Sequence, residues 1–294
     1  MGSANVDLVA TVASRPAPGE TVHALDYAEF VGGKGSNQAI AAARLGGRVA
    51  FVGMVGDDPE ADMVRKALSE EGVDIRGLGS EKSIATGRAL VVVDDSGENS
   101  IVVVAGANAR VGSSQIAKSR DLLSGAAIVV AQLEIPIATV IEAALLTPGM
   151  FVLNPAPAQP LPSALLRRVD VLVVNQVEYE IVTGRELPPQ LPELARDLRQ
   201  LDLPKFVVIT LGGRGALVWD SLTVIHVAPP SVQVVDTTGA GDTFIGALAE
   251  ALSRGETIAS AARWAVHAAS LSVTTLGATT GMPRHEDVVA ALNP

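Results

Sequence analysis

The stretch Asp236-Thr237-Thr238-Gly239-Ala240-Gly241-Asp242-Thr243-Phe244 places three residues with almost no side chain between two carboxylates. The apolar run Phe244-Ile245-Gly246-Ala247-Leu248-Ala249 follows directly and predicts a helix over 241–253, with a strand, Val232–Val235, leading in. The first amides of a helix lack intrahelical acceptors, and the helix dipole adds partial positive charge there. Gly239, Ala240 and Gly241 let an anion come within hydrogen-bond range of those amides. The segment is thus suited to cradling a phosphate, or to stabilising charge that develops in a transition state. A fixed carboxylate at Asp242 would repel phosphate unless it accepts the proton of a hydroxyl attacking phosphorus. The competing account makes Asp242 a first-turn residue that complements the dipole.

A second glycine-rich turn, Thr210-Leu211-Gly212-Gly213-Arg214-Gly215, follows the apolar run Phe206–Thr210. It suits nucleotide phosphates or ribose, although such turns also serve as plain hairpin material. It lacks the lysine of a GxxxxGK[ST] loop, and no GxGxxG follows an N-terminal strand. Near the amino end, Asn5 and Asp7 precede Gly32-Gly33-Lys34-Gly35-Ser36-Asn37-Gln38, which runs into an alanine-rich helix over Ala39–Leu45. Asp, Asn, Lys and bare backbone at Gly33 match the alternating donors and acceptors of a polyol; capping and turn roles are the alternative. Glu134, Asn175 and Glu178 each follow an apolar strand, where ligands of α/β sheets sit.

The elements that must position these groups are short Val/Ile-rich runs: Val49–Val52, Ala89–Val93, Ile101–Val104, Ala126–Gln132, Met150–Leu153, Val171–Val174, Phe206–Thr210 and Ala216–Trp219. From about residue 112 they alternate with helical patterns at Ser114–Leu123, Ile137–Leu146, Glu193–Leu201 and Gly241–Ser253. Alternation of this kind predicts parallel βαβ units in a doubly wound sheet with helices on both faces. Two stretches interrupt it: Thr11–Val31, and a hairpin over Thr86–Val104 with its turn at Asp94–Asn99. They predict either a small β lid over the main sheet or a decorative edge sheet.

The chain has 294 residues, 48% of them hydrophobic and 18% charged, enough for a large core. It has no cysteine, which excludes disulfides and thiolate metal sites and fits a reducing cytosol. A net charge of −10 argues against a nucleic-acid surface. No apolar run approaches the ~18 residues of a membrane span, and no basic segment opens a signal peptide.

In their order, GSANVD, GGKGSNQAIAAARLG, GENSIVVVAGAN, QLEIP, NPAPA, NQVE, TLGGRGA and DTTGAGDTF resemble the ribokinase family, the ribokinase branch of the phosphofructokinase-B-type carbohydrate kinases. The resemblance covers nearly the whole chain. It implies a single three-layer α/β/α domain with a mainly parallel central sheet and a small β-sheet lid. It implies transfer of the γ-phosphoryl group of ATP to a sugar hydroxyl, O5 of ribose, with Asp242 as general base. By position it implies Asn5, Asp7, Gly33, Lys34, Asn37 and Glu134 as sugar ligands and Gly239, Ala240 and Gly241 as the anion hole. Thr210 to Gly215 would line the nucleotide site, with Asn175 near the phosphates and Glu178 acting through water on Mg²⁺. Asp236, Thr238, Ser272, Thr275, Gly277 and Gly281 would surround a K⁺. The resemblance further implies a cytoplasmic enzyme and a homodimer formed through the lid.

Three departures qualify it. Almost nothing precedes Gly2-Ser3, where the family has an apolar strand, so a central strand should be shortened. The stretch Gly56–Ala61 is not followed by the family's usual glycine. His267 stands where an adenine-side contact is common, and a helix-surface place is the alternative. A related kinase acting on deoxyribose, fructose or a nucleoside, and a non-catalytic sugar or nucleotide sensor, remain alternative readings.

Overall fold

The computed structural model describes residues 1–95 and 98–292. The chain runs through β1 (Asn5–Val12), β2 (Asp26–Gly32), α1 (Lys34–Arg44), β3 (Ala50–Val55), α2 (Pro59–Glu70), β4 (Asp74–Ser80), β5 (Gly87–Asp94) and β6 (Asn99–Val104). It continues through α3 (Ser113–Lys118), α4 (Arg120–Gly125), β7 (Ile128–Ala131), α5 (Ile137–Leu146), β8 (Met150–Leu153), α6 (Ser163–Leu166), β9 (Val171–Asn175), α7 (Gln176–Thr183) and α8 (Leu191–Leu198). The last elements are β10 (Phe206–Thr210), β11 (Ala216–Trp219), β12 (Val224–Val227), α9 (Ala240–Ser253), α10 (Ile258–Ser272) and α11 (His285–Leu292).

The main sheet has the order β12-β11-β10-β9-β8-β7. Strands β7 to β10 are mutually parallel, while β11 and β12 return antiparallel. Because successive side chains point to opposite faces, each continuous apolar strand feeds two cores. Leu172, Val174, Val207 and Ile209 pack with Ile116, Val140, Leu165, Tyr179 and Leu194 of the helices on one side. Val171, Val173 and Val208 pack with Phe244, Ile245, Leu248, Ala261 and Ala265 of α9 and α10 on the other. This is the expected α/β/α layering.

A second sheet, β2-β1-β5-β6, takes β2, β5 and β6 from the stretches that interrupt the βαβ series and adds β1, most of which precedes the first of them. Strands β1 and β5 pair in parallel and their outer neighbours antiparallel. Ser96 and Gly97 of the expected hairpin turn lie outside the described residues. Every residue of β6 is exposed, including Ile101, Val102, Val103 and Val104.

The third sheet holds only β3 and β4. Between β3 and β7 lies a cavity of about 650 Å³ lined by Phe51, Val52, Val129, Val130 and Gln132. The amino end crosses it: the Met1 α-amino group donates to the Val130 carbonyl (2.7 Å) and Gly2 N to the Val52 carbonyl (3.0 Å). Met1 and Gly2 thus span the gap between the two sheets.

Several sequence expectations are corrected. Val232–Val235 forms no strand: Pro229 and Pro230 precede it, and it lines a cavity instead. Ser114–Leu123 is two short helices that meet at Ser119. Helix α1 begins at Lys34 rather than Ala39, so the glycine-rich motif is itself the first turn. Strand β4, with glycines at 77 and 79, has no continuous apolar run to reveal it.

Candidate active site

The crossing of α1 and α9 builds the centre of the site. A Cβ on Gly246 would lie 2.7 Å from both Ala41 Cβ and the Gln38 carbonyl oxygen, so the two backbones touch there. One turn earlier on each helix stand Asp242 and the pair Asn37–Gln38. Asn37 Nδ2 donates to Asp242 Oδ2 (3.0 Å) and Gln38 Nε2 to Asp242 Oδ1 (2.9 Å). Asp242 keeps some solvent contact, but protein surrounds its carboxylate. Burial pushes that carboxyl above the ordinary aspartate range. The Lys34 charge and the amides of Asn37 and Gln38 oppose the rise, and the negative Glu134 adds to it.

Strand register and the start of α1 assemble the amino-terminal group. Asn5 pairs with Gly32 across β1 and β2. Gly33 caps α1 with φ 91°, and a Cβ there would meet Asn5 N at 2.9 Å. Only glycine satisfies both demands. Lys34 N donates to Glu134 Oε2 (3.1 Å), and the Ser3 hydroxyl donates to the same oxygen. The Asn5 carboxamide accepts from Asn108 Nδ2 (2.7 Å), while Asn37 Oδ1 is buried without a partner. Burial, then the charges of Glu134 and Asp242, raise Asp7 to about 6. Asn5, Asp7, Gly33, Lys34, Asn37, Glu134 and Asp242 therefore form one group.

The two glycine-rich turns meet at a second cavity of about 480 Å³. Thr210, Gly212, Gly213 and Gly215 line one side and Ala240, Gly241 and Phe244 another. Gly239 caps α9 with φ 77°, and Ala240 N is taken by the Thr237 carbonyl (3.2 Å). The amides of Gly241 and Asp242 are next in that first turn. A side chain on Gly241 would meet nothing within 4 Å, so there is room above it for an anion. Leu211 and Arg214 belong to the turn but point elsewhere; Arg214 Nη2 donates to Gln176 Oε1 (2.8 Å).

Asn175 caps α7 and forms a capping box with Glu178: Glu178 N donates to Asn175 Oδ1 (2.8 Å) and Asn175 N to Glu178 Oε2 (2.9 Å). Burial raises the Glu178 carboxyl. The Asn175 amide and Lys34 oppose this, and the Asp242 charge adds to it. A separate group surrounds Asp236. Its Oδ1 accepts from Thr238 N (2.9 Å) and Oγ1 (2.7 Å), and its Oδ2 from Gly277 N (2.8 Å). Burial acts upward on Asp236, but those donors win and lower it.

Four contributors escaped the sequence reading: Ser3, Gln38, Asn108 and Asn154. Each sits inside or beside a quoted motif, and each faces a partner far away in the chain. The wall of the second cavity was missed too: Val232, Val234, Val266, Ala269 and Val273. His267 does not line it; its ring Nδ1 pairs with the Arg263 carbonyl (2.9 Å) within its own helix.

The description "pfkB family carbohydrate kinase" matches residues 1–285. The chain belongs to this family. A ribokinase from Bacillus subtilis is 37% identical across 100% of this chain and 98% of its own length. One from Haemophilus influenzae is 36% identical across 99% and 97%. A bifunctional ribokinase/ribose-5-phosphate isomerase A from Fructilactobacillus sanfranciscensis is 38% identical, and this chain spans 55% of it. The structure of Arabidopsis thaliana ribokinase complexed with ribose and ATP superposes with a TM-score of 0.91 at 32% identity, covering 100% of this chain and 97% of that one. That of Thermotoga maritima ribokinase has a TM-score of 0.91 at 34% identity, covering 100% and 98%. The pfkB fold, with its mostly parallel sheet and flanking helices, is the one described above. Among the described residues no helix is long and apolar enough to cross a membrane.

Proposed function

We propose that the chain phosphorylates D-ribose at O5 with ATP as donor. The observation that carries this reading is the place of Asp242. It stands where the polar group of Asn5, Asp7, Lys34, Asn37 and Glu134 meets the small-residue start of α9. A hydroxyl held by the polar group loses its proton to the Asp242 carboxylate as it attacks phosphorus. The amides of Gly241 and Asp242 and the positive end of α9 neutralise charge on the transferring phosphoryl group. The buried Asn37 Oδ1 is an acceptor suited to a sugar hydroxyl. Thr210, Gly212, Gly213 and Gly215 hold the nucleotide, whose apolar part lies against Val232, Val234 and Val273.

Mg²⁺ would neutralise the nucleotide phosphates. Glu178 would be the carboxylate that holds it through water, as suits a cation that keeps much of its hydration shell. Monovalent-cation binding fits the group near Asp236. A Cβ on Gly281 would lie 2.3 Å from the Ser272 carbonyl oxygen and 3.3 Å from that of Thr275, so two carbonyls converge on space that a side chain would fill. Asp236, Thr238 and Gly277 complete the acidic side of this K⁺ site.

The sheet β2-β1-β5-β6 is the lid in this reading, and its closure excludes water from the transfer. Its exposed apolar residues, Tyr27, Phe30, Leu90 and Ile101–Val104, are the surface on which a homodimer would form. A cytosolic location is part of the same reading and is compatible with a chain without cysteine. The deciding experiment is ADP release in K⁺ and Mg²⁺ buffer against ribose, deoxyribose, fructose and nucleosides. Ribose should give the highest kcat/KM. A higher value for another substrate would reassign the enzyme within the family, and no turnover with any of them would leave only a sugar or nucleotide sensor.

A further inference from the structure

Three carboxamides behind the site form an ordered relay that ends on Asp242. Asn154 Nδ2 donates to the Val173 carbonyl (3.2 Å), which turns Asn154 Oδ1 toward Gln38. Gln38 Nε2 reaches that oxygen (3.4 Å) and Asp242 Oδ1 (2.9 Å). Gln132 Nε2 donates to Gln38 Oε1. Gln38, Gln132 and Asn154 are all buried. Asn154 and Asp242 thereby constrain Gln38, and Gln38 in turn orders Gln132, whose own Oε1 is buried without a partner among the described residues. Turning Gln38 over would set its oxygen against two acceptors and its NH₂ against the NH₂ of Gln132. The backbone of Gln38 cannot withdraw, because Gly246 is packed on its carbonyl oxygen.

We infer that Gln38 is a positioning residue for the transfer reaction: Asn154, held by the Val173 carbonyl, and the donor of Gln132 fix its amide so that a donor, never an acceptor, faces the proton-accepting carboxylate. Two amides hold Asp242, and they differ in kind. Asn37 carries a buried orphan oxygen and lies among the sugar-side residues, so an arriving hydroxyl competes for it. Gln38 has all its polar atoms engaged within the protein and keeps its bond when the sugar enters. It sets the direction of the Asp242 oxygens and favours their charged state.

This inference rests on the kinase reading with Asp242 as base, and Asp242→Asn separates the two: if that variant keeps wild-type kcat, the reading itself falls. With that control inactive, the acid limb of the kcat–pH profile tests the relay. Gln38→Met keeps the volume and removes the donor. It should cut kcat about ten-fold, leave the sugar KM within about two-fold, and move the acid limb up by about one pH unit. Gln132→Glu replaces the fixed donor with an acceptor. It should reverse the Gln38 amide and move the acid limb the same way, whereas Gln132→Met should give a smaller shift. In the wild type, which needs no substitution to fold, the side-chain ¹⁵N resonance of Gln38 should titrate with the midpoint of that limb. Unshifted profiles in folded variants, or a Gln38 resonance that ignores that midpoint, would overturn the inference.

Discussion

Gly246 and Ala41 stand so close at the crossing of α9 and α1 that a Cβ on the glycine would sit 2.7 Å from that of the alanine. The contact lies one turn from the triad Asn37, Gln38 and Asp242, so it sets the spacing on which their hydrogen bonds depend. In an exposed helix Gly→Ala gains up to ~1 kcal/mol of propensity. Here the clash with backbone decides the sign, because overpacking costs about 1–3 kcal/mol. Gly246→Ala should lower Tm and cut kcat, and Gly246→Val should do so more severely, as thermal melts and steady-state kinetics will show.

Asp242→Asn removes the proton acceptor while keeping the shape of the side chain. General-base catalysis is typically worth ~10²–10⁴-fold, and kcat should fall by at least that order. Nucleotide affinity, read by calorimetry, should change little, because the Gly241 amide and the Thr210–Gly215 turn are untouched.

Asp7 supplies a pH test. Its pKa is raised to about 6, so the native state holds the proton that the unfolded chain releases near the ordinary 3.8. Its contribution to folding stability is therefore full below that lower value and is lost as pH rises through about 6. Sugar binding carries the opposite sign, because a hydroxyl donor needs the ionised carboxylate. The ribose Kd should rise as pH falls below about 6. Asp7→Asn should weaken binding and flatten that pH dependence, as titration calorimetry from pH about 5 to about 8 will show.

The carbonyls of Ser272 and Thr275 that converge on Gly281 predict a cation effect. Exchanging K⁺ for Na⁺ should lower kcat in the wild type. Gly281→Ala fills the space and should lower kcat in both salts while abolishing the difference between them.

The gap between β3 and β7 predicts a gain in stability. An extended apolar segment of about six residues spans ~20 Å. Appended before Met1, it should hydrogen-bond to both strand edges and bury side chains in the 650 Å³ cavity. It also turns a buried α-amino group, whose pKa burial lowers to about 5, into a neutral amide. Tm should rise with an apolar extension and should not with a Gly/Ser extension of equal length.

The residues that gather around Asp242 and at the start of α9 were legible because DTTGAGDTF and GGKGSNQ concentrate small and polar residues at helix starts. The central strands were legible because Val171–Val174 and Phe206–Thr210 are buried on both faces and cannot alternate. Val232–Val235 is also valine-rich but follows two prolines and joins no sheet among the described residues, so it became a cavity wall. The relay was hidden for a different reason. Gln38 meets Gln132, Asn154 and Asp242 across 94, 116 and 204 positions of chain, and single-residue chemistry cannot foresee those encounters. The break at Ser119 and the glycine-rich β4 carry no periodic signal.

Because β1 belongs to one sheet and β10 to another, the proposed sugar-side and nucleotide-side residues sit on separately laced frameworks. What couples them includes a helix pair pressed backbone to backbone, the stitch of Met1 and Gly2, the bonds of Ser3 and Lys34 to Glu134, and that of Gln132 to Gln38. Such a joint resists sliding but permits rocking. Rocking of the two halves about the α1–α9 contact would displace Asp242, one turn away from it, the least.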